Sequence, residues 1–338
     1  MARKINKKGN SKKPAKNRKL IITLSIIGLL IVGLVGGVAT YGLTMLGKIN
    51  KVDLNEDNLG IDKDIDAKLS KYDGITNIAL FGIDATEGTA GRSDAIMIAT
   101  VDKIHNKLKL TSIMRDSYVD IQGHGEDKIN HAYAFGGHEL ALKTLNENFN
   151  LNLKDFATVN FSSLPKIIDY IGGIDLDIRQ DEINAKIGIN DHIRHLNIVN
   201  NTNVEFISSP GVQHVNGTQA LAYCRIRYTS GGDGERTYRQ RIVLSKLFDK
   251  FKTLPPSKYP SALNKLLPMI TTNLSSNEII KLSTTTATMS NSELEQERFP
   301  KDEYSKGEMI KGVYYLTFNK DTTVSQLHDY IFEDIKSN

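Results

Sequence analysis

Between Leu20 and Leu46 the chain runs 27 residues without a charged side chain, directly after nineteen residues that carry nine lysines and arginines and no acid. A bilayer's hydrocarbon core is about 30 Å thick and takes roughly 20 apolar helical residues to cross, so a stretch this long is predicted to span with some tilt. A cleaved signal peptide has the same order of charge and apolarity. Its apolar core is shorter, about 7–15 residues, and no small-x-small cleavage site follows here. The expectation is therefore a retained anchor: a basic cytoplasmic tail at 1–19, a single-pass transmembrane helix at 20–46, and the remaining chain outside the cell membrane.

That partition changes the meaning of the charge. The whole chain is +4, but without the nine tail cations 34 basic groups face 39 acidic ones, a net −5. An acidic outer domain argues against nucleic acid as a partner, and the tail is explained by orientation and anionic lipid. Cys224 is the only cysteine, which excludes an intramolecular disulfide and a cysteine-based zinc site.

Residues 47–73 read as a charged stalk ending in a short helix, with Ile61, Ile65 and Leu69 at helical spacing. Ile75–Ile83, Ala95–Val101 and Leu108–Met114 are nearly continuous apolar runs, the pattern of strands buried on both faces. Helical spacing recurs at 138–149 and 161–171, and Gly172-Gly173 ends the second helix before a strand at Ile174–Ile178. Residues 182–207 are polar and asparagine-rich, an excursion from the core. Gly217–Leu221 is predicted as a short helix, Ala222–Tyr228 as a strand and 236–252 as a helix. Interleaved helices and buried strands make the fold class α/β. A core at 74–252 is expected, with 253–338 packing on it.

Residues 225–241 hold five arginines around Gly231-Gly232-Asp233-Gly234. Arginine's planar fork grips phosphate oxygens in pairs. Arg225 and Arg227, two apart on the predicted strand, point the same way; Arg236 and Gln240, four apart on the predicted helix, share a face. The pattern fits an anion pocket, although a solvated basic surface has the same composition. Val243, Leu244, Leu247 and Phe251 continue that helix face as an apolar stripe, read as core. Asp84 ends the first long strand, Arg92-Ser93-Asp94 opens the second, and Arg115-Asp116 ends the third. In α/β sheets active groups collect beyond strand ends. Paired carboxylates there, Asp84 and Asp94, suit Mg²⁺, which takes oxygen ligands and completes its shell with phosphate.

Several segments resemble the LytR-CpsA-Psr (LCP) family: Asn77–Asp84, Gly91–Asp94, Ser112–Asp116, Lys128–Ala134 with Gly136-Gly137, Gly172–Asp175, and the arginine block with Asp233, Arg236, Arg239, Gln240 and Arg241 in matching order. The resemblance runs from about 75 to 250. It implies an αβα domain with a mixed central sheet flanked by helices. It also implies a Mg²⁺-dependent phosphotransferase of Gram-positive cell walls, moving a phosphorylated glycopolymer (teichoic acid, capsule or similar) from a polyprenyl-pyrophosphate carrier to peptidoglycan. Carried over, Asp84 and Asp94 are metal carboxylates, and Arg92, Arg115, Arg225, Arg227, Arg236 and Gln240 face the pyrophosphate. Arg115, Arg225, Arg227 and Arg236 would stabilise the reacting charge, with Asp233 orienting or deprotonating the acceptor. Met114 departs from the family's common proline, and Gly234 from a frequent aromatic.

Two rival readings use the same residues: a hydrolase of the polyprenyl pyrophosphate with water as acceptor, and a non-catalytic regulatory protein of the transcriptional-attenuator kind. No helix-turn-helix pattern supports the second. His192 and His195 share a helix face but lie in the polar excursion without carboxylates at metal spacing, and are read as structural, as is His131.

Overall fold

The computed structural model describes residues 46–338, except 85–90, 161–162, 231, 253–254, 256–258, 290–293 and 337–338. The tail and nearly all of the expected membrane span lie outside the described residues, as do the side chains of Asp84 and Asp233. Among the described residues no helix is long and apolar enough to cross a membrane.

The expected stalk is part of the domain. Its first strand, β1 (Asn50–Lys51), and helix, α1 (Lys63–Leu69), are followed by an antiparallel meander of β2 (Ile75–Asp84), β3 (Arg92–Asp102) and β4 (Lys107–Ile113). A hairpin of β5 (Tyr118–Ile121) and β6 (Gly125–Lys128) leads into α2 (His131–Phe149), and β7 (Asp155–Asn160) then returns parallel to β2. Next come α3 (Leu164–Tyr170), β8 (Ile174–Ile178), α4 (Gln180–Asn184), α5 (Ile189–Asn200), β9 (Gly211–Val215), α6 (Gly217–Arg225) and α7 (Gly232–Lys252). The last part of the chain adds α8 (Tyr259–Leu266), β10 (Ile270–Thr272), α9 (Ser276–Thr288), β11 (Leu294–Phe299), the hairpin β12 (Ser305–Ile310) and β13 (Val313–Phe318), and α10 (Lys320–Phe332).

The main sheet has seven strands in the order β1-β10-β7-β2-β3-β4-β11. It is mixed: β2 and β7, β4 and β11, and β1 and β10 run parallel, and the other neighbours antiparallel. The region beyond residue 253, expected to pack on the core, therefore builds two strands of the sheet itself. Successive residues of β2 and β3 feed opposite cores. Ile78, Leu80, Met97 and Ala99 face a cluster shared with α3, α5, α6 and α7, while Ala79, Phe81, Ile96 and Ile98 face a cluster shared with α2 and α10. Burial on both faces is why these strands read as unbroken apolar runs.

Three sequence expectations change. Ala222–Tyr228 is not a strand: α6 runs through Arg225, opened by Asn216 and Gln219 capping each other's backbone amides at 3.0 Å. Ala220 to Cys224 are all buried, and a fully buried helix has the same unbroken apolar pattern as a buried strand. The strand at Ile174–Ile178 exists but pairs with β9 outside the main sheet. The polar excursion at 182–207 contains α5, which buries Ile189, Ile193 and Leu196 and packs on α6.

The core also encloses a charge pair. Lys109 is fully buried, and its Nζ donates to Asp102 Oδ2 at 2.8 Å and to the carbonyls of Tyr330 and Ile331 at 2.9 and 3.2 Å. The last two lie at the carboxyl end of α10, where a cation is favoured. Replacing Lys109 by Met is expected to lower stability by about 3–5 kcal/mol, since Asp102, left with the partly exposed His105 at 2.8 Å, and Asp334, 3.2 Å from the ammonium, would both lose their buried cation. Urea unfolding measures the loss, and the double variant Lys109→Met/Asp102→Asn should recover part of it. A single variant as stable as the wild type would show that the pair contributes nothing.

Candidate active site

Beyond one end of β3 lies a cavity of about 340 Å³, walled by Asp94, Arg225, Arg227, Arg236, Gln240 and His192, with Leu221 and Cys224 supplying apolar surface. Asp94 enters it because of a bulge. In the β2–β3 ladder Gly82 faces Ala95 and Ile83 faces Ser93, so Asp94 is skipped in the register. A bulged residue is re-aimed out of the pleat.

Asp94 is the hub of the charge arrangement. Arg115 Nη1 donates to its Oδ1 at 2.5 Å, Asn130 Nδ2 to the same oxygen at 3.4 Å, and Arg236 Nη1 stands 4.0 Å from Oδ2. Arg236 Nη2 also donates to the Asp94 carbonyl at 3.3 Å. Burial pushes this carboxyl up, but Arg115, Arg236 and Arg227 together hold it below the usual carboxylate range. Asp94 is thus a fixed anion among more numerous cations.

The arginines reach this place from separate elements. Arg225 ends α6, Arg227 is exposed on the connection after it, and Arg236 is buried on α7 one turn before Gln240. The connection is held by Arg239, which faces away from the cavity. Its guanidinium donates to Glu182 at 2.7 Å, to the Ile226 carbonyl at 3.0 Å, and to Thr229 Oγ1 and Glu235 at 2.7 Å each. Ile226 and Thr229 bracket Arg227, so the buried Arg239–Glu182 pair sets where Arg227 stands.

Six expected residues therefore converge: Asp94, Arg115, Arg225, Arg227, Arg236 and Gln240. Arg92 is turned elsewhere: its Nη1 lies 3.4 Å from His131 Nε2, and His131 Nδ1 lies 2.8 Å from Asp127 Oδ2. The Arg92 backbone pairs with Asp84 at the end of β2, which puts that carboxylate's strand end beside β3. Asp233 lies in the first turn of α7. The Met114 substitution has a visible use, because its amide donates to the Phe299 carbonyl at 2.9 Å, a bond that proline cannot make.

Sequence reasoning missed one wall of the cavity. His192 and His195 both line it, carried there by α5. The signal that could have found them is Ile189, Ile193 and Leu196 at helical spacing within the segment read as an excursion. Cys224 is not a reactive group, since burial pushes its thiol up to about 12.

A net-positive cavity with a fixed carboxylate is equipped to bind and polarise a polyanion. The chain matches the LytR_cpsA_psr family over residues 43–329. The teichoic acid transferase TagU of Bacillus cereus (polyisoprenyl-teichoic acid–peptidoglycan teichoic acid transferase) is 31% identical over 280 residues, covering 79% of this chain and 83% of TagU. Regulatory protein MsrR of Staphylococcus aureus is 30% identical over 270 residues, covering 78% of this chain and 76% of MsrR. The structure of TagT with bound octaprenyl pyrophosphate lipid aligns with a TM-score of 0.56 at 25% identity, covering 78% of this chain and 91% of TagT. With the family match spanning the described domain from its first strand into α10, this chain is a member of the LytR-CpsA-Psr family.

Proposed function

We propose that the chain transfers a phosphorylated cell-wall glycopolymer from a polyprenyl-pyrophosphate carrier to peptidoglycan. The observation that carries this reading is the convergence of Arg225, Arg227 and Arg236 around one cavity, with Arg115 held against Asp94 at its edge. A pyrophosphate is the ligand that such a set of forks fits. The teichoic acid transfer of TagU and the octaprenyl pyrophosphate bound to TagT support the same chemistry.

In the proposed step an acceptor hydroxyl of peptidoglycan attacks the phosphorus next to the glycan. The new bond is O–P, the bond broken is the pyrophosphate bridge, and polyprenyl phosphate leaves with the bridging oxygen. Arg225, Arg227 and Arg236 offset the charge that develops on the leaving phosphate, and Asp233 takes the hydroxyl proton. Arg115 holds Asp94 in place.

The donor set fits Mg²⁺. Asp94 is kept ionised, and Asn130, which bonds it through Nδ2, has a buried Oδ1 without a hydrogen-bond partner. Among the described residues no three carboxylates, histidines or cysteines converge on one point. Asp94, with Asp84 whose side chain lies outside the described residues, would hold an ion that completes its shell with phosphate oxygens. When bound, it would supply charge neutralisation at the phosphates. The uncharged stretch at 20–46 would anchor the enzyme beside its lipid-linked donor, with the domain outside the cell and the tail inside.

The test is a purified protein given a synthetic polyprenyl-pyrophosphate-linked glycan, with and without peptidoglycan, and products identified by mass. Glycan on peptidoglycan plus polyprenyl phosphate is the expected outcome. Equal consumption of the donor in both reactions, with only water-derived products, would make the chain a hydrolase, and no consumption would favour a regulatory role. Arg227→Ala is expected to slow transfer by about 10²–10³-fold, the usual worth of a charge-stabilising donor; an unchanged rate would remove Arg227 from the mechanism. Chelation of divalent cations should stop turnover and added Mg²⁺ restore it, whereas full activity in excess chelator would dismiss the metal.

A further inference from the structure

His192 lines the cavity, and the proposed chemistry leaves it without a task. It stands in the first turns of α5, and its ring is half-buried. Nε2 is buried and has no hydrogen-bond partner. Leaving a buried polar atom unbonded is costly, so such atoms mark places where a ligand completes the bonding. Here the surroundings specify the ligand's charge. Arg225 and Arg227 face the ring from the end of α6 and the connection after it, and Asp191 and His195 flank it on its own helix. Asp94 and Arg236 lie further round the same cavity, and Glu182 on neighbouring α4 is turned to Arg239.

We infer that His192 is a direct contact of the bound phosphate: Nε2–H donates to a phosphate oxygen, and the ring takes up a proton from solvent as the anion enters. This rests on the anion-site reading above and adds to it a residue from the α5 wall. The electrostatic reason is the change of neighbours. Without an anion, burial and then the Arg225 and Arg227 charges lower the ring's pKa to about 4, so it is neutral at physiological pH. A phosphate placed among these arginines offsets their field and favours the imidazolium, whose two N–H groups are both donors. The pKa is then higher in the complex than in the free protein. Binding therefore strengthens as pH falls through the complexed value, and that gain levels off below about 4.

The probe is inorganic pyrophosphate, with and without Mg²⁺, titrated calorimetrically from pH 5 to 8 in buffers of different ionisation enthalpy. Wild type and His192→Gln are compared, because the pyrophosphate's own protonation is common to both and cancels. The expected result is extra proton uptake in the wild type. Its affinity relative to the variant should grow toward low pH, by up to about tenfold for each unit by which the anion raises the ring's pKa. Identical proton uptake and pH dependence in the two proteins would overturn the histidine's role while leaving the anion site standing. A wild type that binds no pyrophosphate under either condition would overturn both. His192→Asn serves the same comparison should the glutamine variant not fold, with circular dichroism melts establishing which variants are native.

Discussion

Arg239 is almost fully buried, and its guanidinium is committed to Glu182, Glu235, Thr229 and the Ile226 carbonyl. Glu182 in turn caps the start of α4 by accepting from the Arg179 amide at 2.8 Å. One side chain thus ties α7 to α4 and to the connection between α6 and α7. That connection carries Arg227, and α6 ends in Arg225, so the positions of both cationic forks depend on an ion pair that touches no ligand. A buried pair is weak evidence for stability, since desolvation offsets much of the attraction. Its geometric consequence is clearer: a planar fork with several acceptors allows few orientations of the backbone it binds.

The cavity shows how local placement outweighs net charge. Outside its basic tail the chain is net acidic, yet among the described residues lining the cavity Arg225, Arg227 and Arg236 meet one carboxylate, Asp94. Low-dielectric walls, here Leu221 and Cys224, lengthen the reach of those charges. The bulge in β3 supplies the carboxylate, and the end of α6 and the start of α7 supply the cations. Rigid elements thereby hold like charges together before any anion arrives. Burial, and then that same field of Arg225 and Arg227, keeps the neighbouring imidazole of His192 neutral.

Some elements were legible because their physics is local. β2, β3 and β4 are buried on both faces, and their apolar runs separated by the turn at Asp102–Lys107 read directly as strands. The segment 217–228 was not legible, because Ala220–Cys224 is apolar at every position and periodicity vanishes when all sides are covered. Arg225 and Arg227 were expected to act together as two residues on one strand face. They do line one cavity, but from a helix end and a connection steered by Arg239. His192 and His195 were set aside for their polar neighbourhood, which turned out to be the solvent side of a helix whose apolar side packs on α6.

Composition and short-range spacing by themselves determined a good deal about this protein. They specified an uncharged stretch long enough to span a bilayer, an α/β class, and an arginine block with the chemistry to hold phosphate. Those properties depend on residue type and on neighbours a few positions away. Only the tertiary structure decided which charges meet. Arg236 reaches the Asp94 carbonyl across 142 positions of sequence, and α5 brings His192 to the arginines of the α6–α7 junction. Such encounters are set by how helices pack on a twisted mixed sheet and where one bulge interrupts a ladder, and neither leaves a periodic trace in the chain.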